Sequence, residues 1–347
     1  MKPYHAGERR PGTIKLSSNE NPLGCGPRAR SAIVTALEDV HYYPDGGARE
    51  LREAIAAVRG CRAEQIIPGN GSDEVLTLIA GTYLDPGDTV LVGEHTFSQY
   101  RFAATLFGAT VRTVAMPGLR MDLDLFSRGM DEGVKIVFLC SPNNPTGLTI
   151  TQADLLKFLE STPPHILVVV DHAYIEYQEA DAGCDATALV DEYPNLVVLR
   201  TFSKIHGLAN LRIGYGIADP GRIEELQRVR SPFNLGGIAQ SAAVAALQDD
   251  GFLQQSLQVN LTGKQRLERT LSRMNISWLP SQANFVTFEL PRERSDDAAS
   301  VARHLAERGF TVRPLGSFGL PRHLRITVGT PEQLDQLEPI LQDILTT

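Results

Sequence analysis

The stretch LVVLRTFSKIHGLANLRIGYGIAD, residues 196–219, decides the fold. Its opening residues form a continuous branched apolar run, the pattern of a strand buried on both faces, and such strands belong to mainly parallel sheets covered by helices. Lys204 follows that strand's carboxyl end, where open α/β sheets place their ligands. Most lysines are solvated surface charges. A desolvated one has a depressed pKa and a free amine that condenses with a carbonyl. Thr201 and Ser203 add hydroxyls beside it, and Arg212, eight residues on, adds a rigid fork suited to a phosphate. The segment is what holding an aldehyde cofactor and its phosphate requires.

Further branched apolar runs lie outward from this segment at 89–93, 110–116, 134–140, 166–171 and 213–219. Segments with helical spacing, at 50–58, 73–84 and 151–160, separate them. This alternation predicts an α/β fold, a large domain with a mainly parallel sheet between helices. After residue 235 the pattern changes to long helices (238–248 and 252–274), then ANFVTFEL (283–290), a helix near 296–308, and LRITVG (324–329). Helices followed by a few strands predict a smaller α+β domain. The expected division is an N-terminal arm, 1–26, belonging to the small domain, a large domain at 27–235 and a small domain at 236–347.

Composition excludes several function classes. With 347 residues, 42% hydrophobic and 21% charged, the chain has an ordinary globular core, and its net charge of −8 argues against nucleic-acid or anionic-membrane partners. The four cysteines lack the close pairing of zinc or redox motifs, so reduced thiols and no metal site are expected. The start, MKPYHAGERRPG, has basic residues without an apolar stretch after them, and no apolar run exceeds strand length. Neither a signal peptide nor a membrane span is expected, and the expected location is cytoplasmic.

Four other constellations carry chemistry. GNGSDEVL (69–76) follows a short strand and opens a helix, so the N–H groups around Ser72 and Asp73 face an anion, or else Ser72 caps the helix. SPNNPTG (141–147) places a proline-stiffened loop after a buried strand, with Asn144 the favoured ligand contact. ILVVVDHAY (166–174) ends an apolar strand in Asp171, a carboxylate that packing does not explain and that a pyridinium nitrogen would satisfy; Tyr174 follows. Arg325, between Leu324 and Ile326 in a strand, faces away from them and suits a substrate anion, and Arg313 in TVRPLG is a second candidate. A Ser-His-Asp hydrolase is weakly supported without a G-x-S-x-G elbow, and no G-x-G-x-x-G dinucleotide fingerprint follows the first strand.

Taken together, KLSSNENPLG (15–24), YYPDGG (42–47), GNGSDE, SPNNPTG, DHAY, RTFSK, GLANLRIGYG, ANFV and LRITVGT resemble, in order, the fold-type I pyridoxal-phosphate aminotransferases of class I/II, and within them the histidinol-phosphate aminotransferase family. The resemblance spans nearly the whole chain. It implies pyridoxal 5'-phosphate as cofactor, held by Lys204 as a Schiff base, with Lys204 also moving the substrate proton. It further implies Asp171 on the pyridine nitrogen, Asn144 and Tyr174 on O3′, Phe97 stacked on the ring, and Ser72, Asp73, Thr201, Ser203 and Arg212 around the phosphate. Tyr43 matches a tyrosine supplied by a partner subunit, which implies a homodimer with shared active sites. Tyr4, Asn21, Arg313 and Arg325 match substrate contacts. The partners implied are a small-molecule amino donor and an oxo acceptor, glutamate/2-oxoglutarate and the histidinol-phosphate pair, in a ping-pong cycle. Aromatic amino-acid aminotransferases and decarboxylases of phosphorylated amino acids share most of these motifs, and Arg325 would grip an α-carboxylate in either kind of aminotransferase. The chain departs from the family pattern at His172, usually glutamate, at Glu94 and His95, usually a proline-containing pair, and at Asn210, commonly a small residue.

Overall fold

A computed structural model of the chain describes residues 12–346. Its strands are β1 (Ile14–Lys15), β2 (Ile66–Gly69), β3 (Thr89–Gly93), β4 (Thr110–Val114), β5 (Val134–Cys140), β6 (Leu167–Asp171), β7 (Leu196–Thr201), β8 (Gly214–Ala218), β9 (Phe285–Glu289), β10 (Phe310–Thr311), β11 (Arg313–Pro314) and β12 (His323–Thr327). The α-helices are α1 (Pro27–Ala36), α2 (Arg49–Arg59), α3 (Gly71–Tyr83), α4 (Ser98–Leu106), α5 (Leu123–Gly129), α6 (Gln152–Ser161), α7 (Pro220–Val229), α8 (Gly237–Leu247), α9 (Asp250–Arg273), α10 (Ala298–Glu307) and α11 (Pro331–Thr346).

Seven strands form the main sheet in the order β2-β8-β7-β6-β5-β3-β4. The β4–β3–β5–β6–β7 pairs are parallel, as continuous apolar runs predict, and β8 alone runs antiparallel to both neighbours, β7 and β2. The reversal has a local cause. The twelve residues between Thr201 and Gly214 hold only a short 3-10 turn at Ala209–Leu211 and no crossover helix, so the chain doubles straight back. Asp171, Ser141 and Thr201 with Lys204 thereby arrive side by side at the carboxyl ends of β6, β5 and β7.

The hydrophobic residues gather in two principal cores. One surrounds the main sheet; the other lies among α9, α10, α11 and the antiparallel β11-β12-β9 sheet. Ile14 and Lys15 pair with Phe310 and Thr311, and Leu16 is buried in the second core, which ties the arm to the smaller unit. Helix α8, expected with the small domain, packs instead into the main core through Ala239, Ala242, Ala243, Ala246 and Leu247. Its alanines let it lie close against α1 and α2, and the division between cores falls between α8 and α9 rather than at 235/236. A third cluster, Tyr174, Tyr177 and Ile205 against Ala283 and Phe285, joins the two units beside the carboxyl ends of the sheet. No described helix is long and apolar enough to cross a membrane.

Candidate active site

A cleft of about 990 Å³ opens where the sheet's carboxyl edge meets the small domain and residues 17–20 of the arm. Twelve residues singled out in the sequence line it together: Ser72, Asp73, Phe97, Asn144, Asp171, Tyr174, Thr201, Ser203, Lys204, Arg212, Arg313 and Arg325. Three do not. Tyr4 lies outside the described residues. Asn21 is buried with its Nδ2 donating to the Ile205 carbonyl (2.8 Å) and Ser256 Oγ (2.9 Å), so its side chain fastens the arm to α9 instead of facing the cleft. Tyr43 is 83% exposed and stacks on Phe233 at 4.9 Å, in a separate surface groove.

Lys204 Nζ lies 3.4 Å from the Ser18 carbonyl and 5.4 Å from the centre of the Tyr174 ring. Burial, reinforced by the nearby Arg325 charge, pushes its ammonium down to about 8, so a fraction of free amine exists near neutral pH. Asp171 is buried at the end of β6. Its Oδ2 accepts from the Tyr100 hydroxyl (2.7 Å) and its Oδ1 from the Ala173 N–H (3.0 Å). Burial pushes its carboxyl up to about 6 against those two donors. No basic side chain forms an ion pair with Asp171 among the described residues, so the position calls for a cation from outside the chain.

The anion end is built around α3. Its N-cap is Asn70, whose N–H is taken by Glu74 Oε2 (2.5 Å), so Ser72 sits inside the first turn and does not cap the helix. Gly71 has φ +75°, and a Cβ there would stand 2.5 Å from Arg212 Nη2; a Cβ on Gly214 would stand 2.4 Å from the Ser72 nitrogen. Both glycines are required for the backbone to close into a cup. Arg212, itself left-handed at φ 50°, spans that cup to Asp73 Oδ2 (3.0 Å) and Ser203 Oγ (3.4 Å). Thr201 Oγ1 accepts from the Ser203 N–H (3.0 Å) and fixes the turn that leads to Lys204. A helix N-terminus, three hydroxyls and a guanidinium suit a phosphate, while the buried carboxylate and the depressed lysine suit a pyridine aldehyde. The residues present therefore fit pyridoxal phosphate.

On the small-domain wall, Arg313 and Arg325 face each other across the β11–β12 ladder. Arg325, 5% exposed, donates from Nη1 to Asn144 Oδ1 and from Nη2 to the Ser17 carbonyl (3.0 Å). Its neighbours Leu324 and Ile326 point into the second core, as strand alternation requires. Asn144 is thus oriented with its amide oxygen spent on Arg325 and its NH₂ left to donate.

Two contributors escaped the sequence reading. Asn19, in the same motif as Asn21, is buried at φ 56° and donates from Nδ2 to the Tyr174 hydroxyl (2.9 Å), while Thr327 Oγ1 holds its Oδ1 (3.1 Å). Only spacing inside NEN separates it from Asn21. Tyr100, fully buried on α4, reaches Asp171; three residues after Phe97, it reads from sequence as a core aromatic. Three of the departures also find structural explanations. His172 donates from Nδ1 to the Ser141 carbonyl (2.5 Å) and accepts at Nε2 from the Ala186 N–H (3.0 Å), and burial with the neighbouring Arg200 pushes it down to about 4, so it is a neutral brace under the SPNNPTG loop. His95 Nδ1 donates to the Phe318 carbonyl (2.7 Å), linking the large domain to the loop after Arg313. Asn210 is exposed.

Comparison with known proteins identifies the family of the chain. The family model for aminotransferase class I and II matches residues 11–338. The chain is 46% identical over 342 residues to the histidinol-phosphate aminotransferase of Symbiobacterium thermophilum, covering 96% of this chain and 93% of that protein. It is 42% identical over 333 residues to the histidinol-phosphate aminotransferase of Moorella thermoacetica, covering 96% and 85%. The crystal structure of histidinol-phosphate aminotransferase from Sinorhizobium meliloti in complex with pyridoxal-5'-phosphate superposes with a TM-score of 0.89 at 29% identity, over 96% of this chain and 91% of that one. The chain therefore belongs to the class I and II aminotransferases, and within them to the histidinol-phosphate aminotransferase family, and is a pyridoxal-phosphate-dependent aminotransferase.

Proposed function

We propose that this aminotransferase interconverts histidinol phosphate and its oxo counterpart, imidazole-acetol phosphate, with glutamate and 2-oxoglutarate as the second pair, in a ping-pong cycle. The observation that carries the reading is the pair of arginines, Arg313 and Arg325, set in register on one face of β11–β12 above Lys204. Two guanidinium groups on one wall suit substrates that bring a phosphate in one half-reaction and two carboxylates in the other. The named relatives at 46% and 42% identity support the same substrate.

Pyridoxal phosphate, when bound, supplies the aldehyde that takes the amino group and the ring that withdraws electrons from the substrate Cα. Lys204, with its ammonium near 8, is poised to hold the cofactor and then to accept and return the proton at Cα. Asp171 sets a negative charge opposite the ring nitrogen, and the Asn144 NH₂ and Tyr174 hydroxyl donate toward O3′. Ser72, Asp73, Thr201, Ser203 and Arg212 form the cup for the cofactor phosphate, with Phe97 as its stacking face. Arg325 receives the carboxylate of glutamate, and Arg313 supplies a seat for the substrate phosphate.

The working form is inferred to be a cytoplasmic homodimer with shared active sites. Val40, Tyr42 and Tyr43 are exposed along one groove of the large domain, Phe233 stacks on Tyr43, and Val34 and Leu37 are exposed nearby in the chain, an apolar face that a second copy would cover while presenting Tyr43 to the partner's cofactor. The experiment for the substrate is kcat/KM with histidinol phosphate against phenylalanine and tyrosine. A preference of about 100-fold is expected, the value of about 3 kcal/mol of charge-assisted bonding to the phosphate. Equal or better use of the aromatic amino acids, or release of CO2, overturns the assignment.

A further inference from the structure

Asp171 is buried without an ion-pair partner among the described residues, and the side chain that holds it belongs to none of the elements that carry the cup, the lysine or the arginines. Tyr100 lies on α4 and is fully buried, with its ring stacked on Phe138 at 5.1 Å and 8° and set edge-on to Phe97 at 5.7 Å and 83°. From that fixed ring its hydroxyl donates to Asp171 Oδ2 at 2.7 Å. The opposite oxygen is held by the Ala173 N–H, so the plane of the carboxylate is set from two sides. We propose that Tyr100 is a positioning residue for the transamination, its hydroxyl fixing the orientation and the negative charge with which Asp171 meets the cofactor ring nitrogen, and its ring backing Phe97 on the same cofactor face.

The groups around Asp171 leave this task to Tyr100. Cys140 on β5 is a buried thiol, pushed up by that burial and by Asp171 itself, and contributes no charge near neutral pH. Asp73 on α3 repels a second negative charge, whereas Lys204, beyond β7, attracts it through space without a hydrogen bond. Tyr174 hydrogen-bonds Asn19. Among side chains of the described residues, only Tyr100 donates a hydrogen bond to this carboxylate. A phenol is suited to the role because it is neutral: it stabilises the carboxylate without forming an ion pair that would displace the ring nitrogen.

The inference rests on Asp171 facing the ring nitrogen, and one set of measurements separates the two statements. Cofactor dissociation constants are measured between pH 5 and pH 9, by titrating cofactor-stripped protein with pyridoxal phosphate, for the wild type, Tyr100→Phe, Asp171→Asn and the double variant. Loss of binding in Asp171→Asn tests the Asp171 assignment by itself. For Tyr100→Phe the expected result is about tenfold weaker binding near neutral pH, the value of one hydrogen bond to a charged group, with the acid limb of the profile moved to higher pH. The same change made in the Asp171→Asn background is expected to add almost nothing. A wild-type profile in Tyr100→Phe, or an equal loss in both backgrounds, overturns the proposal; a purely structural role would lower the thermal midpoint without moving the acid limb. Should Tyr100→Phe fail to fold, 3-fluorotyrosine placed at position 100 alone gives a stronger donor on the same ring. The acid limb must then move to lower pH, and an unmoved limb is equally decisive against the idea.

Discussion

Two buried charged centres lie on adjacent strands and are built in opposite ways. Arg200, on β7, is 1% exposed, and its Nη groups reach Glu176 (3.0 Å), Asp185 and Thr187 (3.3 Å). Arg59 completes the set, donating to Glu176 (2.8 Å) and to the Tyr215 hydroxyl (2.9 Å). Burial alone would raise the Glu176 and Asp185 carboxyls, yet the arginines hold both below their ordinary values. At the cleft the outcome reverses: burial wins, and Asp171 rises to about 6 while Lys204 falls to about 8. The first centre pairs its charges within the chain, leaving Arg200 Nε alone without a hydrogen bond. The second is left open, and a charge that the fold tolerates without satisfying marks where a ligand belongs.

The contrast breaks most sharply at Lys204. Lys204→Ala is expected to lower kcat by a factor of about 1,000 or more, since it removes the proposed proton carrier and point of cofactor attachment, while the thermal midpoint of the cofactor-free protein stays level or rises. A fall in stability comparable to the fall in activity would place the lysine with the closed centre. Next in size is Arg200→Met, which takes the ion-pair partner from the half-exposed Asp185 carboxyl and leaves the largely buried Glu176 with Arg59 alone. About 4 kcal/mol of unfolding free energy should disappear, measured by urea denaturation. Near-wild-type stability would mean that the closed network is ornamental to the fold.

The third prediction uses pH. Because the folded-state pKa of Asp171 is raised from 3.8 to about 6, the native cofactor-free protein holds this proton more firmly than the unfolded chain does. Its contribution to stability is therefore fully present below about pH 4 and is lost as pH rises through about 6. Asp171→Asn removes that slope and should be more stable than the wild type by about 3 kcal/mol at pH 7, with the difference vanishing near pH 4. Unfolding curves of both cofactor-free proteins across that window check it. A constant difference at all pH values would assign the effect to packing.

Much of this arrangement was legible in the chain because strand ends and ligand sites coincide in open α/β sheets. The runs ending at Cys140 and Asp171 and the run opening at Leu196 are strands β5, β6 and β7, and the chemistry follows directly after each. What resisted reading was relational. The antiparallel turn of β8 depends on how 201–214 folds back, and nothing in an apolar run encodes direction. Helix α8 went to the wrong core because its alanine stripe states only that something packs closely, leaving the partner unspecified. Asn19 and Asn21 have the same side chain two residues apart, and a positive φ at Asn19 turns one toward Tyr174 while Asn21 is held against Ile205 and Ser256. Tyr100 was invisible because a helical aromatic that packs on Phe138 satisfies every rule for a core residue while its hydroxyl serves the site.

The pairing of Arg313 with Arg325 has a consequence for how this enzyme tolerates insertions. Residues directly opposite in an antiparallel ladder share a face, with Cα atoms about 5 Å apart, so the roots of the two guanidinium groups keep a constant spacing, like the jaws of a gauge. Slipping the pairing by one residue would send one arginine toward Leu324 and Ile326 in the core and bring an apolar residue to the cleft. The connection at 315–322 lies outside the ladder and is anchored by buried Leu315 and Leu320 and by the Phe318 carbonyl bonded to His95, whereas a single residue added within 313–314 loses the gauge. Added length can enter between those anchors, at the exposed Gly316, Ser317 or Gly319, and not in the strand beside them.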